Sequence, residues 1–244
     1  MQEMDFIEGA EYLESWPTED ILRWAWDAFG ERAAIGTSFQ GAGLVLMHLA
    51  KTHDLPFSVF TLDTGLLFPE TLELKSEVES FLGRPILSLV PDYTPAVQAQ
   101  YFGEELWKRE PDFCCSLRKV VPLQSHLKTL DCWITGLRRE QSGTRQQTGV
   151  LEVYRMEDGR AIAKLNPMAK WGREAVWAYI REHGLPYHPL HDRGYRSIGC
   201  QPCTLPSENG DERAGRWTGF KKTECGIHTF MTRVDVASLG DPTI

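Results

Sequence analysis

The sequence of 244 residues lacks any apolar run that approaches the roughly 20 residues of a transmembrane helix. Its first residues, Met1 to Asp5, are acidic, and no apolar segment typical of a signal peptide follows them. These two absences predict a cytoplasmic protein that does not interact with membranes. Six cysteines in that compartment are expected to serve as ligands or catalytic groups, and not as disulfides.

Positive charge is also scarce, with 26 Lys and Arg against 34 Asp and Glu and a net charge of −8. Proteins that bind nucleic acids broadly use a basic surface, so we expect no nucleic-acid partner. A small anionic substrate stays compatible with this charge, because a local basic pocket can oppose the charge of the whole molecule. The sequence shows no internal repeat, and its length fits one large domain or one domain with a tail.

Short apolar runs alternate with helical segments between residues 33 and 135. The predicted strands are residues 33–36, 57–62, 85–90 and 132–135. The predicted helices between them are residues 43–53, 69–81 and 115–130. Strands separated by helices of this length predict right-handed βαβ units and an α/β fold, in which a mostly parallel sheet has helices on both faces.

Further elements surround this alternation. Helical patterns cover residues 7–29 and 173–183. Apolar residues 150–154 and 161–165 flank the turn signal Glu157-Asp158-Gly159 and predict an antiparallel hairpin. From about Leu190 onward Gly, Pro and charged residues dominate, which predicts a loosely folded and flexible C-terminal tail.

The loop after the first predicted strand reads Ser38-Phe39-Gln40-Gly41-Ala42-Gly43. Glycines let a backbone approach a ligand closely, and the first turn of the next helix offers unpaired N–H groups to an anion. A phosphate-binding loop and a plain strand-to-helix turn are equally compatible with this segment alone. The loop is not a Walker A motif, because no Gly-Lys-Ser/Thr follows it.

Polar residues also follow the second and fourth predicted strands. Asp63 could accept hydrogen bonds from a sugar or base, since ligands bind at the carboxyl ends of parallel strands, or it could cap the next helix. Arg138, Arg139 and Arg145 lie in a loop with Gly and Ser and predict an anion clamp, because a guanidinium binds phosphate or sulfate through two hydrogen bonds. The alternative for these arginines is a solvated run of charge.

Four cysteines form two pairs, Cys114-Cys115 and Cys200-Gln201-Pro202-Cys203. Thiolates bind both zinc and iron–sulfur clusters, and Cys-x-x-Cys alone does not distinguish them. Zinc ligands are usually separated by two or more residues, so the adjacent pair favours a cluster. Lys119 follows Cys115 by one helical turn and is predicted to face the same side, with a solvated helix cation as the alternative.

A fifth cysteine lies in Glu224-Cys225-Gly226-Ile227-His228. Nearby cations lower the pKa of a thiol, and Lys221 and Lys222 precede this motif. We therefore predict that Cys225 is a catalytic nucleophile, whereas the alternative is an incidental exposed thiol. The sixth cysteine, Cys132, lies in an apolar strand and is predicted to pack as a small hydrophobic residue.

Four of these segments together resemble the assimilatory sulfonucleotide reductases, which reduce adenylylsulfate (APS) or phosphoadenylylsulfate (PAPS). The segments are the Ser38 to Gly43 loop, Leu62-Asp63-Thr64-Gly65 with Pro69-Glu70-Thr71, the Gly136 to Arg145 loop, and Glu224 to His228. With both cysteine pairs present, the chain resembles the iron–sulfur branch that reduces APS. The resemblance covers about residues 33–228 and implies an adenine-nucleotide α-hydrolase-like fold.

The resemblance implies thioredoxin-dependent reduction of APS to sulfite and AMP, through an S-sulfocysteine on Cys225, as a step of sulfate assimilation. It also implies one 4Fe-4S cluster per chain, held by Cys114, Cys115, Cys200 and Cys203. Its implied partners are APS and reduced thioredoxin. The implied substrate contacts are Ser38, Phe39, Gln40, Gly41, Asp63, Lys119, Arg138, Arg139, Arg145, Arg213, Arg216 and His228.

These expectations divide the chain into a nucleotide-binding α/β domain, residues 1–190, and a C-terminal segment, residues 191–244, with the second cysteine pair and Cys225. The alternative functions are a PAPS or dual APS/PAPS reductase, a cluster-containing nucleotide-activating enzyme of the tRNA-thiolation type, and a zinc-stabilised binding module. A thiolation enzyme typically needs a Ser-Gly-Gly-type pyrophosphatase loop and a basic RNA-binding surface. A zinc module leaves Cys225 unexplained. No function is predicted for residues 229–244, and Gly240-Asp241-Pro242 predicts disorder there.

Overall fold

The computed structural model describes residues 12–156, 158–207 and 212–234. Its α-helices are α1 (Thr18–Phe29), α2 (Gly41–Thr52), α3 (Pro69–Leu82), α4 (Pro95–Phe102), α5 (Leu106–Arg109), α6 (Pro111–Cys115), α7 (Val121–Leu127) and α8 (Arg173–Glu182). Its strands are β1 (Ala33–Thr37), β2 (Ser58–Leu62), β3 (Leu87–Leu89), β4 (Cys132–Thr135), β5 (Leu151–Arg155), β6 (Ala161–Leu165) and β7 (Thr232–Val234).

The seven strands form one sheet in the order β3-β2-β1-β4-β6-β5-β7. Strands β3, β2, β1, β4 and β6 are parallel, whereas β5 and β7 run antiparallel to their neighbours. The chain moves outward from β1 to β3 and then returns to place β4 on the other side of β1. This reversal creates a crevice at the carboxyl ends of β1 and β4, the position at which open parallel sheets bind ligands.

Alternate residues of β1 point into two separate apolar layers. Ala33 and Ile35 belong to the larger core, which helices α1, α2, α3 and α8 cover. Ala34 points to the opposite face and packs with Trp133 and with Leu123 of α7. Side chains of a strand alternate between faces, so both faces of this central strand are buried. The mostly parallel sheet with helices on both faces is therefore confirmed.

One long helical segment carries the first cysteine pair. Helix α6 continues through a π-helical turn, Ser116–Val120, directly into α7. The helix predicted over residues 115–130 thus begins four residues earlier, at Pro111, whose fixed φ suits a first helical turn. π-Helical turns widen a helix locally and often occur at functional sites. This one contains Lys119, and Cys115 immediately precedes it.

The remaining boundaries differ modestly from the sequence expectations. The helix predicted over residues 7–29 is broken at residues 14–17, and α1 begins after Pro17; residues 7–11 lie outside the described residues. The hairpin of β5 and β6 is confirmed, although Glu157 of its turn is not described. Helices α4 and α5 were not predicted. Across the described ranges, no helix is long and apolar enough to cross a membrane.

The expectation of a loosely folded tail from Leu190 onward is wrong for its described residues. Cys225 and Met231 are buried, and β7 pairs with β5 in the sheet. Met231 joins the apolar layer on the α7 side of the sheet, together with Ile227 and Phe230. Burial of these side chains gives the tail a fixed path, which its high content of Gly and charge did not indicate. The division at residue 190 stays a prediction. Disorder was predicted for residues 229–244 and is wrong for 229–234, because Thr232–Val234 form β7; residues 235–244 lie outside the described residues.

The central role of α2 in the larger core leads to a stability prediction. Replacing fully buried Leu46 with Ala should lower the free energy of unfolding by about 2–5 kcal/mol, because the substitution removes buried methyl groups and leaves a cavity. The matched control is Leu72→Ala on α3, a half-exposed leucine, for which a change within about 0.5 kcal/mol is expected. Urea denaturation measures both, and equal effects would contradict the assignment of the core.

Candidate active site

A deep cavity opens at the crevice between the carboxyl ends of β1 and β4. Two strand-end loops form its floor, because Gly136 after β4 lies against Gly43 in the first turn of α2. A Cβ atom on Gly136 would lie only 3.1 Å from the backbone nitrogen of Gly43. The end of β2 forms one wall and the C-terminal tail closes another. The cavity therefore lies where the strand-end loops predicted it.

The loop after β1 contributes only part of its predicted contacts to this cavity. Ser38 and Gln40 line it. Gln40 also holds the segment before Cys200, because its side-chain amide exchanges two hydrogen bonds with the backbone of Ile198 at 3.2 and 3.3 Å. Phe39 has a positive φ of 56° that turns its side chain into the larger core. Gly41 packs against α8, where a Cβ atom would lie 2.9 Å from Val176.

Asp63 follows β2 but is not among the described residues that line the cavity. Its carboxylate accepts a hydrogen bond from the backbone N–H of Gly65 at 2.9 Å, which closes a local turn. Neighbouring Thr61, Leu62 and Thr64 line the cavity instead. The strand end was therefore identified from the sequence, while the side chain that faces the cavity was not.

Each arginine of the loop after β4 forms an ion pair with a glutamate of this chain. Arg138 pairs with Glu212 at 2.5 Å, Arg139 pairs with Glu14 at 2.7 Å, and Arg145 pairs with Glu224 at 2.8 Å. Of these three arginines, Arg145 lines the cavity. Arg138 and Arg139 lie behind the cavity wall. Of the three arginines predicted to form an anion clamp, the structure therefore places one, Arg145, at the cavity.

The two cysteine pairs meet on the other side of the cavity wall. Cys114, Cys115, Cys200 and Cys203 all line one small void, which Trp217 closes. The second pair is fixed by Thr64, whose hydroxyl lies 3.2 Å from the Cys200 sulfur. In the described ranges, the six cysteines form no disulfide. The fold thus converges on the four cysteines that the sequence analysis grouped.

The four thiols around this void are donors that either a zinc ion or an iron–sulfur cluster accepts. Among the described residues, no group of three or more Cys, His, Asp or Glu side chains is arranged to hold one metal ion. A zinc ion gathers its sulfur ligands around one centre at about 2.3 Å. A four-iron cluster takes one thiolate at each iron, so its ligands surround a larger body. The four cysteines that line this void are therefore the residues that would hold either group.

Lys119 lies between the cysteine void and the cavity and lines both. Its side chain is buried, which by itself lowers the pKa of an ammonium. The neighbouring sulfur groups of Cys200, Cys225 and Cys115 raise that pKa further than burial lowers it. Lys119 is therefore charged at neutral pH, as its predicted role requires.

Cys225 lines the cavity and is only 9% exposed. Burial raises the pKa of its thiol, but the Lys119 ammonium, the backbone N–H of Ile227 and the arginines of the tail lower it further. The net pKa lies below that of an ordinary cysteine. In contrast, burial raises the pKa of Cys115 and of Cys203 to about 11. The surroundings of Cys225 therefore favour its thiolate, whereas those of Cys115 and Cys203 favour the thiol.

Arg213, Arg216 and His228 complete the cation-rich wall around Cys225, and all three line the cavity. Arg216 passes over Gly199 and packs on the ring of Trp217, with its guanidinium carbon 4.5 Å from the ring centroid. Burial lowers the pKa of Arg213 to about 10, so this group stays charged at neutral pH.

His228 is stacked on Trp133 of β4, with ring centroids 5.1 Å apart and planes inclined by 14°. Burial and nearby Lys164, Arg145 and Arg213 hold its pKa well below the usual value. The imidazole is therefore neutral at physiological pH. A neutral ring offers one donor and one acceptor to a ligand, and not a positive charge.

Several cavity residues were missed by sequence reasoning. Phe60 and Trp133 point upward from β2 and β4 into the cavity, and residues 197–199 line it near Cys200. The signal for the two aromatic residues was their position in the two strands, β2 and β4, that the sequence identified correctly. Residues 197–199 had no such signal, because tertiary contacts bring them to the site: Ile198 bonds Gln40 and packs against Phe68, and Gly199 lies against Arg216.

Comparison with known proteins agrees with this geometry. Residues 32–206 match the family described as the phosphoadenosine phosphosulfate reductase domain. The adenosine 5'-phosphosulfate reductase 2 of Bacillus subtilis (strain 168) is 44% identical over 86% of this chain and 88% of its own length. The adenosine 5'-phosphosulfate reductase of Salinibacter ruber is 45% identical over 86% of this chain and 82% of its own length.

Solved structures extend the comparison to the fold. The phosphoadenylyl-sulfate reductase of Candida auris, in a phosphate complex, is 30% identical with a TM-score of 0.71, and the match covers 82% of this chain and 96% of that one. The FMN adenylyltransferase of Candida glabrata shares the fold alone, at 13% identity and a TM-score of 0.54 over 91% of this chain and 77% of that one. The resemblance read from the sequence is confirmed: the chain is an enzyme and belongs to the APS/PAPS reductase family.

Proposed function

We propose that this enzyme reduces APS to sulfite and AMP, with reduced thioredoxin as the electron donor and an S-sulfocysteine on Cys225 as the intermediate. The observation that carries the proposal is the position of Cys225, an activated thiol that faces a cavity whose wall contains Lys119, Arg213 and Arg216. A sulfonucleotide is anionic at the bond to be cleaved, so this wall suits it. The names of the relatives with 44 and 45% identity favour APS as the substrate.

The first step is a nucleophilic substitution at sulfur. The Cys225 thiolate attacks the sulfate sulfur of APS, and a sulfur–sulfur bond forms as the bond from sulfur to the bridging oxygen breaks. The electron pair of that bond leaves with the phosphate oxygen of AMP. Lys119, Arg213 and Arg216 hold the sulfate and stabilise the charge that develops on the leaving oxygen. These groups act in a buried site, where electrostatic interactions are stronger than in water.

The remaining cavity residues bind and orient the nucleotide in this proposal. Ser38 and Gln40 lie beside the first turn of α2, whose N–H groups suit a phosphate. His228 donates or accepts one hydrogen bond as a neutral ring, and Arg145 contributes positive charge to the cavity wall. Gln40 couples nucleotide binding to the cysteine void through Ile198. The other contacts expected from the family, Phe39, Gly41, Asp63, Arg138 and Arg139, support these groups from behind the cavity wall.

The second step returns the enzyme to its starting state. A thiolate of reduced thioredoxin attacks the Cys225 sulfur, and sulfite leaves with the electron pair of the sulfur–sulfur bond. The second thioredoxin thiol then breaks the mixed disulfide by ordinary exchange. Reduced thioredoxin and free protein thiols coexist in the cytoplasm, so we place the reaction there and assign it to sulfate assimilation for cysteine biosynthesis.

The four grouped cysteines would hold one 4Fe-4S cluster. Their convergence on a common void, and the position of Cys114 directly before Cys115, support a cluster over zinc. When bound, the cluster supplies delocalised charge next to the Lys119 ammonium. Lys119 then orients the substrate sulfate from the cavity side, and Trp217 excludes water from the void. The proposed two-segment division is supported by this site, because residues 191–244 contain both the second cysteine pair and Cys225.

A PAPS or dual-specificity reductase is the second candidate. It is favoured by the 30% identity to the phosphoadenylyl-sulfate reductase of Candida auris. The two substrates differ by the 3′-phosphate of PAPS. In the resemblance, the two cysteine pairs accompany APS reduction, and that association favours APS here.

The cluster assignment predicts a brown protein after anaerobic purification, with about four iron and four sulfide ions per chain. Replacing Cys203 with Ser should lower the iron content, because one ligand is lost. Cys132→Ser is the matched control and should keep the iron, since Cys132 is buried in β4 away from the void. Iron and acid-labile sulfide assays measure the cluster content of the wild-type protein and of both variants. A colourless, active protein with stoichiometric zinc would refute the cluster.

The assignment of Cys225 predicts that Cys225→Ser abolishes sulfite production and leaves the iron content and AMP binding intact. Wild-type enzyme given APS without thioredoxin should release one AMP per chain and gain a sulfonate on Cys225. Mass spectrometry of the peptide containing Cys225 detects the adduct, and Cys132→Ser should still form it. A sulfonate on another cysteine, or normal turnover by Cys225→Ser, would contradict the mechanism.

The substrate assignment predicts a kcat/KM for APS at least about tenfold above that for PAPS. Tenfold corresponds to about 1.4 kcal/mol of differential transition-state binding. One additional charge-assisted hydrogen bond to the 3′-phosphate has a similar magnitude, so the margin is narrow. Kinetics with both substrates and excess reduced thioredoxin measure it. Equal values would indicate a dual-specificity enzyme, and a preference for PAPS would reverse the assignment.

A further inference from the structure

The loop after β4 is tied to the catalytic tail at two points. Arg138 pairs with Glu212, and Arg145 pairs with Glu224, the residue directly before Cys225. The second contact is bidentate, because Nε and Nη2 of Arg145 donate to the two carboxylate oxygens of Glu224 at 2.9 and 2.8 Å. Such paired hydrogen bonds fix orientation as well as distance.

The Arg145–Glu224 pair is largely buried, with side chains 10 and 16% exposed. Thr144 of the same loop donates a third hydrogen bond to Glu224 at 3.3 Å, and Arg213 of the tail lies 3.2 Å from its carboxylate. The amide oxygen of Gln141 accepts from Nη1 of Arg145 at 2.6 Å, so the guanidinium is held from two sides. A buried ion pair with these supporting contacts restricts the motion of both side chains more than an exposed ion pair does.

The carboxylate of Glu224 approaches Arg145 from outside the cavity. Among the described residues that line the cavity, Arg145 and Cys225 are present, whereas Glu224 is absent. Glu224 therefore does not occupy the space of a substrate anion. Because Glu224 directly precedes Cys225 in the chain, its ion pair links the nucleophile to Arg145 of the cavity wall.

From this arrangement we infer that Glu224 is a positioning residue, which holds the Cys225 sulfur in the cavity by binding Arg145. The inference rests on the proposed function, in which Cys225 is the nucleophile. The pair maintains the closed position of the tail, in which Cys225 is only 9% exposed. Attack by an external thiol requires access to Cys225, so the same pair must open before the second step.

The test uses the full chain, purified anaerobically, with Glu224→Gln as the variant. Without substrate, Cys225 should react with iodoacetamide at least about tenfold faster than in wild type, because its confinement is lost. With APS and no thioredoxin, the rate constant of the single AMP release should fall at least about tenfold. The dissociation constant of AMP, measured by calorimetry, should change less than about threefold, because Glu224 does not line the cavity.

Glu140→Gln is the matched control. It removes one negative charge from the same loop, but Glu140 is exposed and does not line the cavity. Its carboxylate lies 3.8 Å from Arg138 and accepts a hydrogen bond from the backbone N–H of Arg173 at 2.7 Å. Wild-type alkylation and AMP release are expected for it. Arg145→Gln is a second variant, which should expose Cys225 as much as Glu224→Gln does. The double variant should react little faster than either single variant, because both substitutions remove the same ion pair.

Two results would overturn the inference. Unchanged alkylation of Cys225 in both single variants would show that the pair does not confine the tail. Tighter AMP binding by Glu224→Gln, without faster alkylation, would show that Glu224 competes with substrate instead. A wild-type enzyme that forms no sulfonate would refute the proposed function separately, and the alkylation rates, which need no substrate, would still accept or reject the tie between Glu224 and Arg145.

Discussion

The buried ammonium of Lys119 is the constraint on which the site depends. This side chain is 8% exposed and lines both the substrate cavity and the cysteine void. An isolated buried charge costs several kcal/mol unless opposite charges and hydrogen bonds surround it. The sulfur groups of Cys115, Cys200 and Cys225 provide that environment and raise the pKa of Lys119. Lys119 thus lies where the first cysteine pair, the second pair and the nucleophile meet, although they come from distant parts of the chain.

The C-terminal tail supplies most of the remaining chemistry, and its path explains how an acidic protein contains a cationic site. Arg213, Arg216 and His228 face the cavity, whereas Glu212 and Glu224 of the same tail pair with Arg138 and Arg145. Despite the net charge of −8, Arg145, Arg213 and Arg216 line the cavity, with Glu212 as a carboxylate among them, whereas Glu224 binds Arg145 without lining the cavity. Strand β7 and Met231 anchor the end of this segment on the sheet.

Much of the fold could be predicted, because apolar alternation depends on local periodicity. Strand β4 was predicted with its observed bounds, and the predicted βαβ order is confirmed. Helix α4 was missed despite two local signals, the Thr94 cap and Pro95 in its first turn. The prediction of a loosely folded tail was wrong because amino-acid composition indicates only local conformational preference. The burial of Met231 depends instead on contacts with the sheet, which is distant in the sequence. Phe39 shows the same limit within a loop: a positive φ, which the sequence did not reveal, directs it into the core.

By itself, the sequence determined the strand–helix alternation, the two cysteine pairs, the solitary thiol at Cys225 and the arginines that follow β4. These features depend on residue type and spacing, which the chain shows directly. Only the tertiary structure decided which of those arginines face the cavity and that Lys119 contacts both thiol sites. It also decided that Glu224 binds Arg145, although the two residues are separated by 79 positions in the sequence. Contacts of that kind depend on how the tail crosses the sheet, and no local pattern encodes that path.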